Sequence, residues 1–226
     1  MPWQGPSLQG VSAFHQSYQM NLLNRRIAWV VWGCLLLTVA AIVVAFIATP
    51  ANPKPLPIYG ALPAFQLTDQ DNRTTTLENL RGQIWVADVI FTRCAGQCLI
   101  MSAHMKDLQS ALPHGSPITL VSFTTDPAYD TPGVLRKYAD RYGAQEGRWI
   151  FLTGDKAILR QAAVDGLKLP VLDKAPGQQE YASDLFIHSA KFVVIDKSGR
   201  VRGYYDGETP DGVAQVLAAV KTLARE

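Results

Sequence analysis

Hydrophobic and polar positions divide the chain into two unequal regimes. Residues 27–48 run for 22 positions without a charged side chain, whereas residues 58–226 alternate short apolar runs with polar and Gly/Pro punctuation. At about 1.5 Å per helical residue the first run reaches roughly 33 Å, enough to cross a hydrocarbon core about 30 Å thick. A cleaved signal peptide and a buried core helix are the competing readings. The length of the run and the lack of a clean Ala-x-Ala site after it favour an uncleaved anchor. Arg25 and Arg26 precede the run and only Lys54 follows it closely. The positive-inside rule therefore puts the first residues in the cytoplasm and everything after Thr49 outside. Trp29 and Trp32 fall near the cytoplasmic end, where interfacial indoles are common. Residues 49–57 hold four prolines, the composition of an extended, fairly stiff spacer.

Beyond the spacer the period changes. Residues 84–91 and 118–124 are β-rich apolar runs of the kind found in inner strands, and residues 99–112 space their apolar positions like a helix. Thr131-Pro132 supplies a helix start and Gly143 a stop. A third strand at 149–152 and a helix at 156–165 follow. Two strands at 192–196 and 201–205 flank Lys197-Ser-Gly-Arg200, a hairpin signal, and Thr209-Pro210 opens a last helix. The order β-α-β-α-β-α-β-β-α predicts an α/β fold with a mostly parallel central sheet, helices on both faces and one terminal hairpin. The expected organisation is a tail at 1–26, an anchor at 27–49, a tether at 50–57 and one domain at 58–226.

Composition sharpens this division. Only 18% of the 226 residues are charged, below the roughly 25% usual in soluble domains. The net +2 is an average of +3 over residues 1–57 and −1 over residues 58–226. No basic stripe remains to bind nucleic acid, and a disordered chain is excluded. Residues 1–24 lack the Arg-rich amphipathic pattern of a mitochondrial transit peptide. The expected location is a bacterial cytoplasmic membrane, single-pass, with the C-terminal domain in the periplasm.

Candidate chemistry concentrates in Cys94-Ala-Gly-Gln-Cys98, at the junction of the first long strand and the following helix. A helix N-terminus favours a thiolate, that of Cys94 in particular, and two sulfurs at this spacing can share a metal or close a disulfide. A structural disulfide is the plain alternative, but a bridge across three residues closes too small a loop to stabilise much. The spacing alone does not choose between metal and redox use. Cys34 reads as a residue of the span. His188 precedes the strand at 192–196; a lone histidine there is more often structural than a ligand. Met101, His104 and Met105 follow Cys98, with the methionines read as core and the histidine as surface. Asp126 and Asp130 lie on the loop after the second strand, where support of the cysteine site and turn or capping roles compete. His15, His114, Asp69, Asp71 and the loop 168–177 carry no visible constellation.

The strand running into a cysteine pair and then a helix resembles the thioredoxin-like arrangement. The run His188-Ser-Ala-Lys-Phe-Val-Val-Ile-Asp196 resembles the thioredoxin-like segment in which a proline faces the cysteines, with His188 at about the proline's place. More closely, Leu62-Pro-x-Phe65-x-Leu67-x-Asp69, Phe91-Thr92-x-Cys94-x3-Cys98, Asp126-Pro-x-x-Asp130-Thr131-Pro132 and His188 together resemble the Sco/SenC copper chaperones of cytochrome oxidase assembly. That resemblance implies copper bound by Cys94, Cys98 and His188. Ala95 and Leu99 depart from it, standing where the family usually has proline. Thiolates select Cu(I) and an imidazole also admits Cu(II), whereas zinc in a closed structural site would recruit a fourth ligand.

The function so implied is that of a membrane-anchored copper-binding protein that delivers copper to, or prepares, the dinuclear copper centre of a cytochrome oxidase. Its partner would be the copper-bearing oxidase subunit or another periplasmic copper carrier. The alternative is a thiol–disulfide oxidoreductase that reduces cysteines of such a partner, with Cys94 attacking and Cys98 resolving. Peroxide reduction is weaker, because no peroxidatic cysteine motif is present.

Overall fold

The computed structural model describes residues 25–44, 54–113, 115–173 and 186–226; the side chains of 172–173 and 186–188 lie outside that description. Contacts divide the chain into two units, Met1–Pro53 and Lys54–Glu226. In the first, helix α1 spans Arg25–Val44, 20 residues that include an 18-residue window with a mean hydropathy of 2.6, long and apolar enough to cross a membrane. Residues 1–24 of the expected tail with His15, 45–49 of the expected anchor and 50–53 of the expected tether fall outside the described residues.

The second unit is built on an eight-stranded sheet in the order β1-β10-β9-β4-β5-β6-β2-β3. The strands are β1 Gly60–Ala61, β2 Gln66–Asp69, β3 Thr74–Thr76, β4 Ile84–Ile90, β5 Ile118–Thr124, β6 Trp149–Thr153, β9 Lys191–Ile195 and β10 Arg200–Asp206. A separate two-stranded ladder joins β7 Val171–Asp173 and β8 Phe186–His188. The helices of this unit are α2 Leu77–Leu80, α3 Gln97–Ala111, α4 Pro132–Tyr142, α5 Lys156–Gln161 and α6 Pro210–Leu223.

Strands β4 and β5 show why their sequences read as unbroken apolar runs: every residue of both is buried. Ile84, Val86 and Ile90 face a core shared with Met101, Met105, Leu108, Tyr138 and Val216, whereas Trp85, Ala87 and Val89 face Leu62, Phe65, Leu159 and Ala162. Alternation along an extended chain thus feeds two cores, one under α3, α4 and α6 and one under α2 and α5. Each fully buried large side chain contributes about 1.5–3 kcal/mol.

The thioredoxin-like α/β architecture is present, but the sheet is mixed rather than mostly parallel. Only β4–β5 and β5–β6 run parallel; β9 lies antiparallel on β4, and β2 antiparallel on β6. Two features of the chain cause this. The predicted hairpin forms at Asp196–Gly199, with Asp196 Oδ1 accepting from the amides of Ser198 at 2.9 Å and Arg200 at 3.0 Å. It enters the sheet beside β4. The Thr-rich segment 66–76, which shows no apolar alternation, folds as a second hairpin whose turn is organised by Asp69 Oδ1 and by Asn72 at φ 62°. Asp71 pairs with Arg136. These are structural roles for both aspartates. The helix expected at 156–165 changes at Ala162 into a π-helical turn, Ala162–Gly166. Close packing accompanies the change: a Cβ on Gly166 would sit 3.0 Å from Pro63 Cδ.

Candidate functional site

The cysteine loop leaves the carboxyl end of β4, where open α/β sheets place ligand sites. Helix α3 starts at Gln97, two residues earlier than its apolar spacing indicates, with Gly96 as N-cap and no side-chain cap hydrogen bond. Cys94 therefore lies before the helix, in a turn closed by its own amide donating to Phe91 O at 3.2 Å, and Cys98 lies in the first turn. The two cysteines thus straddle the helix start instead of sharing one helical face. Their sulfurs nonetheless meet in a side-chain hydrogen bond. Cys94 is half-buried and Cys98 fully buried, so the pair has an outer and an inner member.

The Cys98 thiol is pushed well above its ordinary pKa. The hydrogen bond to Cys94 contributes most, followed by burial and the negative charge of Cys94; a backbone hydrogen bond at Phe91 opposes the shift. Asp88 adds a small upward push through its charge. It is wholly buried on β4, at an alternation position shared with Ile84, Val86 and Ile90. One carboxylate inside an otherwise apolar strand was a visible signal in the sequence.

The two residues before Cys94 are clamped to the loop after β5. Asp130, fully buried, accepts from the Thr92 amide at 3.1 Å, from the Thr92 hydroxyl, and from Thr124 Oγ1 at 2.5 Å. Burial raises its pKa, against the lowering effect of those hydrogen bonds. Arg93 reaches Asp126 Oδ2 at 2.5 Å and lies over the Tyr129 ring, 4.3 Å from its centroid. Both aspartates therefore support the cysteine loop. Asp126 is also a turn former, its carbonyl accepting from the amides of Tyr129 and Asp130. The predicted helix start is correct in position, with Thr131 as N-cap and Pro132 following, but no side chain caps it. Arg93, Thr124 and Tyr129, and the clamping role of Thr92, carry no signal in the sequence, because the two loops are some 35 residues apart and only the parallel β4–β5 pairing joins them.

Met101 and Met105 are core residues as expected. His104 is half-buried, and its Nδ1 makes a 2.8 Å hydrogen bond with Gly207 O. His114 lies outside the described residues. The backbone of His188 ends β8, in register with Val171, and the chain then enters β9, which runs antiparallel to β4. The His188 side chain lies outside the described residues. Among the described residues, no group of three or more His, Cys, Asp and Glu is arranged to hold a metal ion.

A thioredoxin-like sheet with a thiol pair at the exit of its central strand has the chemistry for soft-metal binding or thiol–disulfide exchange. The comparisons narrow it: the SCO1/SenC family pattern matches residues 59–225, and the chain belongs to that family. It is similar to the SCO1 protein homolog of Bacillus subtilis (strain 168), 32% identical over 162 residues, 71% of this chain and 81% of that one. A Stutzerimonas stutzeri protein named for an inferred copper-binding role is 28% identical over 204 residues, covering 89% of this chain and 96% of its own. Among solved structures, BsSco, a member of the Sco family of cytochrome c oxidase assembly proteins with an identified disulfide switch, matches with a TM-score of 0.64. It is 30% identical over 76% of this chain and 98% of its own.

Proposed function

We propose that the chain is a membrane-anchored, extracytoplasmic copper-binding protein that delivers copper to, or prepares, the dinuclear copper centre of a cytochrome oxidase. The observation that carries this reading is the contact between the Cys94 and Cys98 sulfurs at the mouth of the sheet. Two thiolates suit Cu(I), and His188 supplies the imidazole that extends the set to Cu(II). Copper is the cargo, and family membership with the Stutzerimonas stutzeri relative's copper-binding name supports it. The chain's own contribution is positional. The clamp of Thr92 and Arg93 on Asp130 and Asp126 holds the loop in one conformation, so the thiols need little rearrangement to take a metal. Half-exposed Cys94 leaves an approach for a partner's thiol, so metal passes by ligand exchange. Helix α1 serves as the anchor, and the polarity of its flanking charges puts the globular unit outside the cytoplasmic membrane.

The test is titration of residues 54–226 with Cu(I) and Cu(II), with and without His188→Ala. One tightly bound copper is expected, with the Cu(II) spectrum and affinity changed by the substitution and both oxidation states lost in Cys94→Ser/Cys98→Ser. Absence of copper binding, or a His188→Ala variant identical to the parent, would sink the reading.

A second reading is favoured by the asymmetry of the pair. Half-exposed Cys94 attacks a partner disulfide and buried Cys98 resolves the mixed disulfide, so the partner gains two electrons and two protons as Cys94–Cys98 becomes a disulfide. Copper-independent turnover with a disulfide-bearing oxidase subunit would establish it.

A further inference from the structure

We propose that the globular unit carries a second ligand site, at the far end of the sheet from the cysteines, that takes the aliphatic chain of a long-chain fatty acid. The site lies where β4 and β5 begin, whereas the cysteine loop starts where β4 ends. Seven residues of extended strand, about 23 Å, separate the two regions. Here α3 ends and α6 passes, leaving a cavity of about 260 Å³. Its floor is Ile84, Leu112, Ile118 and Val220, all buried side chains of the core on that face. An apolar floor with a few convergent polar groups is the composition of a small-molecule site.

Three polar groups choose the head of the ligand. Lys197 and Lys221 line the cavity, both exposed, and neither is in an ion pair among the described residues. The neighbouring carboxylates of Asp196 and Glu226 are engaged by Arg200 and Arg202. Ser116 also lines the cavity, and its Oγ is buried with no hydrogen-bond partner among the described residues. A carboxylate at the cavity would pair with the lysine ammonium charge that lines it, whereas an alcohol would forgo that pairing. The apolar floor selects against short dicarboxylates. A chain with a membrane-length helix meets such amphiphiles at the bilayer from which they partition. The site is independent of the copper reading.

Residues 54–226 serve as the soluble test protein. They form one unit with its own cores, and they contain the region that matches BsSco over 98% of that chain. The probe is cis-parinaric acid, a fatty acid whose emission rises in apolar surroundings. Expected is a saturable one-to-one rise, reversed by oleate and not by oleyl alcohol. Leu217→Trp, which fills the cavity, should abolish the rise while circular dichroism and copper binding are retained. Lys197→Glu with Lys221→Glu should weaken binding about tenfold or more. Both lysines are exposed, so that variant keeps the test decisive if Leu217→Trp fails to fold. No saturable rise, equal displacement by oleyl alcohol, or unchanged affinity in the double-lysine variant would overturn the proposal. Concentration-dependent dimerisation through this face without probe binding would also overturn it, assigning the cleft to a second copy of the chain.

Discussion

Asp130→Ala is the sharpest perturbation of the cysteine loop that leaves both cysteines in place. The carboxylate is fully buried and accepts from the Thr92 amide, the Thr92 hydroxyl and Thr124 Oγ1. Hydrogen bonds to a charged group contribute about 1.5–3 kcal/mol each, and the donors left behind carry their own desolvation cost. The carboxylate's own burial, visible in its raised pKa, offsets part of this. The net loss expected for Asp130→Ala is therefore about 3–5 kcal/mol. With a urea m-value of about 2 kcal/mol/M, the midpoint should fall by about 1.5–2.5 M. Unfolding of residues 54–226, followed by fluorescence of the fully buried Trp85 and Trp149, measures it. Asp130→Asn keeps one acceptor oxygen and should fall between the two. Because Thr92 stands two residues before Cys94, copper affinity should drop in the folded Asp130→Ala protein as well. A loss under about 1 kcal/mol, or unaltered copper affinity, would refute the idea that this carboxylate positions the loop.

Two further outcomes follow from the same contacts. Burial alone would raise the pKa of Asp196, but the Arg200 and Ser198 amides and the guanidinium groups of Arg202 and Arg200 outweigh it, and the folded value is lowered. A carboxyl that titrates below its unfolded value of about 3.9 stabilises the fold above that pH, and the contribution is lost as pH falls through the folded pKa. Urea midpoints should thus decline below about pH 4, and Asp196→Asn should flatten that decline; parallel curves for the two proteins would contradict it. Arg93→Ala removes the Asp126 pair and the Tyr129 contact from a partly exposed side chain, at a cost of about 1 kcal/mol or less. Its double-mutant cycle with Tyr129→Ala should show about 0.5–1 kcal/mol of coupling.

Much of this is legible in the amino-acid sequence. The apolar runs at 84–91 and 118–124 were inner strands because a strand buried on both faces needs no alternation. Thr131, Pro132 and Gly143 bounded their helix because caps and left-handed stops are local chemistry. The Thr-rich hairpin at 66–76 was missed, since its strands carry little apolar period and are held by turn carboxylates. The helix start at Gln97 was placed late because Gly96-Gln97-Cys98 gives no capping signal.

The sequence by itself determined the division into an apolar helix and an α/β unit, and it singled out Cys94 and Cys98 as the candidate pair. These are properties of composition, period and short spacing. Tertiary structure alone decided that the sheet is mixed, that Cys94 is the outer thiol and Cys98 the inner, and that Asp126 and Asp130 hold the loop. It also decided that an apolar cleft lined by two exposed lysines opens at the other end of the sheet. Those outcomes depend on which strands become neighbours. Pairing between segments far apart in the chain is set by how two cores close around the sheet, and local pattern carries no record of it.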